Sequence, residues 1–158
     1  MVDQSSKAVI EFKGVSKAFG PLNVLDNVDL ILEKGRTTVI LGESGIGKSV
    51  LLRHMVGLLR PDAGQICFCG ARIDNLAERD LVAIRKRFGF LFQQGALFDS
   101  MTVGQNIAFP LTEHTEHAPE RIERIVTEKL AMVGLAGIGK KRPGELSGGQ
   151  RQRVALAR

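Results

Sequence analysis

The sequence predicts an α/β fold in which a glycine-rich loop joins a strand to a helix. Three observations lead there. Thr37 to Leu41 is a short β-branched run without alternation, bounded by Gly35 and Gly42, the pattern of a strand buried on both faces of a parallel sheet. GESGIGKS follows at 42–49. Lys48 to Leu59 is then apolar nearly all round, through Val50, Leu51, Leu52, Met55, Val56, Leu58 and Leu59, as in a buried helix.

The remaining elements read in order along the chain. Val9-Ile10-Glu11-Phe12 alternates, as do Val28, Leu30 and Leu32; each reads as a strand, and Glu33-Lys34-Gly35 turns the second. Arg60-Pro61-Asp62-Ala63-Gly64 breaks the buried helix, and residues 65–69 read as a strand. On that strand Cys67 and Cys69 would share one face. With no second pair and no His at ligand spacing, they read as reduced thiols rather than a zinc site. Asn75, three residues before Glu78, fits a helix N-cap. Leu81, Ile84 and Phe88 then recur at helical spacing, with Arg85-Lys86-Arg87 outside, and Phe88 to Phe92 returns to strand. Pro119 suits the first position of a helix whose apolar stripe is Ile122, Ile125, Val126, Leu130 and Val133; Gly134, Gly137 and Gly139 end it. Gln150 to Arg158 reads as a last helix.

Composition narrows the class. A chain of 158 residues, 44% apolar and 25% charged, can bury a core in one domain and is not disordered. No apolar run approaches the ~18 residues that span a bilayer, and MVDQSSKAVI lacks the apolar core of a secretory signal. The sequence therefore reads as cytoplasmic in type. Lys and Arg number 22 against 17 Asp and Glu, a net charge of +5. All eight aromatic residues are Phe, and they are not interleaved with basic residues as a nucleic-acid stacking platform would be. No nucleic-acid partner is expected; the basic excess suits a phosphate site.

Residues 42–49 fit GxxxxGKS/T, the phosphate-binding P-loop. Gly42, Gly45 and Gly47 permit backbone angles that other residues resist. The loop amides, those of Glu43, Ser44 and Ile46 included, can then curl around phosphate oxygens. The N-terminus of the following helix adds its dipole. Lys48 would reach the β- and γ-phosphates, and the Ser49 hydroxyl would hold Mg²⁺.

LSGGQ at 146–150, followed by RQRVALAR, resembles the signature of ABC-type ATPases. Val15-Ser16-Lys17-Ala18-Phe19-Gly20 resembles the segment whose aromatic residue stacks on adenine, with Phe19 at the matching position. Phe92-Gln93 resembles the Q-loop, with Gln93 the matching glutamine. LFQQGALFDSMTVGQNIAFPL at 91–111 and LTEHTEHAP at 111–119 are similar to the ATPase subunit of bacterial phospholipid-trafficking transporters of the Mla or Mce-associated type. So is GESGIGKS with VLLRHMVGLLRPDAGQI after it.

The resemblance implies an α/β P-loop NTPase fold of the ABC ATPase type, with N-terminal antiparallel β strands and a helical subdomain carrying the LSGGQ signature. Residues 1–158 would be a partial ATP-binding domain: 1–92 the nucleotide-binding core with the P-loop, 93–158 the Q-loop, helical subdomain and signature. It implies ATP and Mg²⁺ as cofactors. Phe19, Gly42, Glu43, Ser44, Gly45, Ile46, Gly47, Lys48 and Ser49 would hold ATP, and Ser49 and Gln93 the metal. It implies a head-to-tail dimer with a second ATP-binding subunit, whose ATP would be faced by Ser147, Gly148, Gly149 and Gln150. A helix start with free amides and a hydroxyl is suited to that. Transmembrane permease subunits would be met through Gln93 and the exposed apolar Ala96, Leu97 and Phe98, on the inner face of the cell membrane.

In the family, the Walker B strand, its catalytic glutamate, the D-loop and a switch histidine come after the signature. Residues 1–158 contain none of these, and His54, His114 and His117 all precede the signature. The chain is thus expected to be truncated before Walker B, with no catalytic residue of its own and no turnover alone. Thr37–Leu41 or Phe88–Phe92 would be left as an unpaired edge. Glu113, His114, Glu116 and His117 read as a solvated turn rather than metal ligands. The expected function is that of an ATP-binding transporter subunit, coupling ATP binding and hydrolysis to transport of phospholipid or another lipid. A soluble non-transport ABC ATPase, and a nucleotide-binding module without turnover, are the alternatives.

Overall fold

In the computed structural model, which describes residues 8–93 and 95–158, the chain divides into two compact units between Gly89 and Phe90. The first is built on a hairpin. β1 (Ala8–Phe19) and β2 (Leu22–Glu33) pair antiparallel around Gly20-Pro21, with Ile10 opposite Leu32, Phe12 opposite Leu30 and Val15 opposite Val28. The alternating stretches read from the sequence are the start of β1 and the end of β2, which pair with each other. β3 (Ala63–Phe68) joins the other edge of β1 and β4 (Ala71–Arg72) follows, giving the order β2-β1-β3-β4. One face carries Ile10, Phe12, Val15, Ile66 and Phe68 into a core completed by Leu51, Met55, Ile73 and Leu81. This one-sided burial is what an antiparallel sheet with alternating residues allows.

α1 (Lys48–Met55) is shorter than the expected Lys48–Leu59. Gly57 takes φ 66 just past it, and Leu58 N donates to Arg53 O at 2.9 Å, a left-handed stop that a residue without Cβ makes at no steric cost. Burial is also one-sided. Leu51, His54 and Met55 are inside, whereas Leu52 and Leu58 are exposed.

Two expected strands are absent. Thr37–Leu41 joins no ladder, and Val39 and Leu41 are 70% and 86% exposed. A parallel strand needs neighbours on its edges and helices over its faces, and no described strand lies beside this run. Phe88–Phe92 is likewise outside any ladder. Phe88 is held by its ring instead, 4.7 Å from that of Phe68.

α2 (Glu78–Arg85) starts after Ala77, not after Asn75. Asn75 is used up in a turn in which Leu76 N donates to Ile73 O. Arg85 is not outside. Its Nη2 donates to Gly57 O at 2.6 Å and its Nε to Val56 O at 3.2 Å, while Nη1 pairs with Glu78 at 2.8 Å. The carbonyls left over where α1 ends draw the guanidinium inward. Arg87 lies over the Phe68 ring at 4.5 Å. The two cysteines, both free, do not share a face: Cys67 is buried, and Cys69 lies beyond the end of β3 at φ 49 and is exposed.

The second unit is helical: α3 (Val103–His114), α4 (Pro119–Met132) and α5 (Gly148–Ala157), with a 3-10 turn at Pro143–Glu145. Val103, Ile107, Val126, Leu130, Leu135, Leu146 and Val154 form its core. α4 begins at Pro119 as read, and the chain leaves it at Gly134, φ 68, with Leu135 N donating to Leu130 O at 2.8 Å. α5 begins at Gly148, earlier than the expected Gln150, because Ser147 caps it. α3 was not read from apolar spacing. Its signal is a capping box: Thr102 Oγ1 accepts from Gln105 N, and Gln105 Oε1 accepts from Thr102 N. Gly104 near its start and Pro110 inside it hide the helix from propensity.

Candidate functional site

The loop 42–49 is bent by glycines whose geometry other residues would strain. Gly47 sits at φ 106 and caps α1 without a side-chain acceptor. A Cβ there would come 2.7 Å from Val24 Cγ1 and 3.1 Å from Val24 O, so the loop is seated on β2. Gly45, at φ 85, faces open space. Helix starts leave their first amides without intrahelical partners; at α1 no side chain takes them up, so the positive end of the helix is open to an anion. Lys48 folds back over the loop and donates to the carbonyl oxygens of Gly42 (2.7 Å) and Glu43 (2.6 Å). Glu43, Ser44, Ile46 and Ser49 are exposed around it. An ammonium held over a glycine-rich loop at an uncapped helix start suits a polyphosphate.

Phe19 ends β1 at the hairpin tip, opposite Leu22, and is 45% exposed with Lys17 Nζ 5.6 Å from its ring centroid. Asp62 holds this tip. It accepts from Lys17 Nζ at 2.6 Å and from Ala18 N at 2.8 Å, and its own amide donates to Ser16 O at 2.9 Å. Ala18 pairs with Asn23, the neighbour of the Val24 that packs on Gly47, so the tip and the loop share the same stretch of β2. Sequence reading placed Asp62 only in a helix breaker.

The Ala18 amide first, and the Lys17 ammonium second, hold the Asp62 carboxyl below its ordinary 3.8. A carboxyl lowered by folding stabilises the native state above its unfolded value, and that contribution is lost as pH falls through the lowered one. The NMR titration of the Asp62 carboxyl carbon is expected to show a midpoint below 3.8 that moves up in Lys17→Met. An ordinary midpoint in the wild type would remove the clamp from the account.

In the second unit, Ser147 Oγ accepts from Gln150 N at 3.2 Å and Gln150 Oε1 accepts from Ser147 N at 3.0 Å. The Gln150 side chain is thus turned onto its own helix. Gly148 and Gly149 are exposed, and a Cβ on either would meet nothing within 4 Å. Gln93 is exposed, and its carbonyl accepts from Gln152 Nε2 at 2.5 Å. The expected apolar patch is reduced: Leu97 packs against the helical core, whereas Phe98 stays 39% exposed between Phe109 and Arg158. Asn106, fully buried, accepts from Phe98 N at 2.8 Å and donates to the carbonyls of Phe98 and Thr102, each at 3.0 Å. It fixes the turn from Phe98 to Thr102, and sequence reading missed it because Asn is usually a surface residue.

The sequence matches the family described as ABC transporter over residues 25–158. The chain belongs to the ABC transporter family. It is 50% identical over 149 residues to the "probable ribonucleotide transport ATP-binding protein mkl" of Mycobacterium tuberculosis, covering 94% of this chain and 42% of that one. It is 43% identical over 157 residues to the "intermembrane phospholipid transport system ATP-binding protein MlaF" of Escherichia coli, covering 99% of this chain and 58% of that one. The chain thus spans about half the length of these relatives. Among solved structures it superposes on MJ0796, a bacterial ABC transporter cassette in dimeric form, with a TM-score of 0.88 at 33% identity, covering 94% of this chain and 67% of that one. The fold is that of these ABC ATPase cassettes. Among the described residues, no helix is long and apolar enough to cross a membrane.

Proposed function

We propose that this chain is the ATP-binding part of a transporter that couples ATP binding and hydrolysis to the movement of phospholipid or another lipid. The observation that carries the ATP-binding reading is Lys48 over the loop 42–49 at the uncapped start of α1. Phosphate oxygens would replace the Gly42 and Glu43 carbonyls as acceptors for the ammonium, and the amides of residues 43–49 would donate to the rest. Phe19 offers its exposed ring to the base. The Ser49 hydroxyl and the Gln93 side-chain oxygen are the hard oxygen donors that Mg²⁺ prefers. Ser49 and Gln93 would hold the ion, which would supply charge neutralisation at the phosphates. Residues 1–92 would act as the nucleotide core and 93–158 as the signature-bearing part.

The signature end would meet the nucleotide of a second subunit. Ser147 Oγ accepts from Gln150 N and keeps its proton to donate. Gly148 and Gly149 put no side chain in the way of a phosphate. Permease subunits at the inner membrane face would be the further partners. The lipid cargo is supported by the MlaF relatives at 43–47% identity, which are named as phospholipid transport proteins.

A fluorescent-ATP titration with and without Mg²⁺ tests the reading; no saturable binding would overturn it. Ser147→Arg in the full-length protein is expected to leave binding by one subunit intact and to abolish ATP-driven dimers. Light scattering that shows wild-type dimers would refute the proposed role of the signature.

A further inference from the structure

Gln93, Gly95 and Ala96 each meet α5 or the Arg158 that ends it. Gln152 Nε2 donates to Gln93 O at 2.5 Å. Arg158 Nη1 donates to Ala96 O at 2.5 Å, with its guanidinium carbon 4.7 Å from the Phe98 ring centroid. Between these ties Gly95, buried at φ 78, backs onto the helix: an added Cβ would lie 3.2 Å from Ala155 Cβ and 3.5 Å from Arg151 O. The backbone of Gln93 is therefore held while its side chain stays exposed. A cavity of about 510 Å³, lined in part by Gln93, Asp99, Gly148 and Gln152, opens between this segment and the start of α5.

The geometry points to Gln152 and Arg158 as positioning residues for Gln93. α5, capped by Ser147, carries the signature at its start and the Gln152 tie further along, with Arg158 at its end, so one helix links the signature to the Gln93 backbone. The inference rests on the proposed ATP and Mg²⁺ site, to which it adds what holds Gln93 in register. Neither side chain touches the nucleotide itself.

The test is nucleotide affinity of the full-length protein, titrated against Mg²⁺ and in EDTA, for wild type, Gln93→Ala, Gln152→Glu and Gln152→Lys. Gln152→Glu keeps the size but sets a carboxylate against the Gln93 carbonyl; Gln152→Lys restores a donor. The loss of one such bond should raise the Mg²⁺ concentration at half effect roughly threefold to tenfold in Gln152→Glu. Affinity in EDTA, set by residues 42–49, should not change, and Gln152→Lys should return towards wild type. A general packing defect would move the EDTA value as well, or leave the lysine variant unrescued, and either result overturns the inference. If Gln93→Ala shifts the Mg²⁺ dependence and Gln152→Glu does not, the inference falls and the proposed site stands. If Gln93→Ala shifts nothing, the metal role of Gln93 fails and takes the inference with it.

Discussion

Lys48→Ala is expected to weaken nucleotide binding by at least about a hundredfold. Among the described residues, this ammonium is the only side-chain cation hydrogen-bonded to the loop, and its two present acceptors are loop carbonyls at 2.7 and 2.6 Å. Hydrogen bonds to charged groups are worth ~1.5–3 kcal/mol each, and two to phosphate oxygens together exceed the ~2.8 kcal/mol that a hundredfold requires. The substitution also frees the Gly42 and Glu43 carbonyls, so the loop loses the group that organises it. Stability should change little, because Lys48 contributes no apolar burial to the core around Leu51 and Met55. A fluorescent-nucleotide titration alongside a melt separates the two effects. Unchanged affinity in the variant would remove the phosphate role of residues 42–49.

Gly64→Ala is expected to be the most destabilising single-methyl change in the first unit. Gly64 lies at φ 86 where β3 meets β1, and a Cβ would stand 2.3 Å from Gly14 O and 2.5 Å from Lys13 O. Those are backbone atoms, so no side-chain rotation relieves the clash. β1 is itself held from its other side, since Gly14 N donates to Asp29 Oδ1 at 2.8 Å. A left-handed alanine costs ~1–2 kcal/mol and overpacking a further ~1–3 kcal/mol. A loss of about 2–5 kcal/mol is a large share of the ~5–15 kcal/mol of a whole domain. Denaturant unfolding should show a lower midpoint at an unchanged slope. Gly149→Ala, whose methyl meets open space, is the control and should move the midpoint little. A wild-type midpoint for Gly64→Ala would mean that β1 and β3 do not approach as described.

The difference between these two positions shows how far the sequence reaches. The loop at 42–49 was legible because it is a local object: glycines, a lysine and a helix start within eight positions. The alternation at 9–12 and 28–32, the Pro119 start of α4 and the helix after LSGGQ were legible for the same reason. Each depends on neighbours within about a turn. α3 was legible in principle from Thr102 and Gln105, but Gly104 and Pro110 spoke against it.

Tertiary structure decided the rest. Thr37–Leu41 has strand composition, yet a strand exists only with a hydrogen-bonding neighbour, and composition cannot say whether one lies alongside. Arg85 sits in a basic run that reads as surface until the end of α1 leaves carbonyls within its reach. Asp62 reads as a turn residue until β1 brings Lys17 and Ala18 to it, 45 and 44 positions away in sequence. Gln152 and Arg158 meet Gln93 and Ala96 across 59 and 62 positions. Side-chain bonds to distant backbone carry no periodicity and no motif. They form only where packing first brings the two segments together.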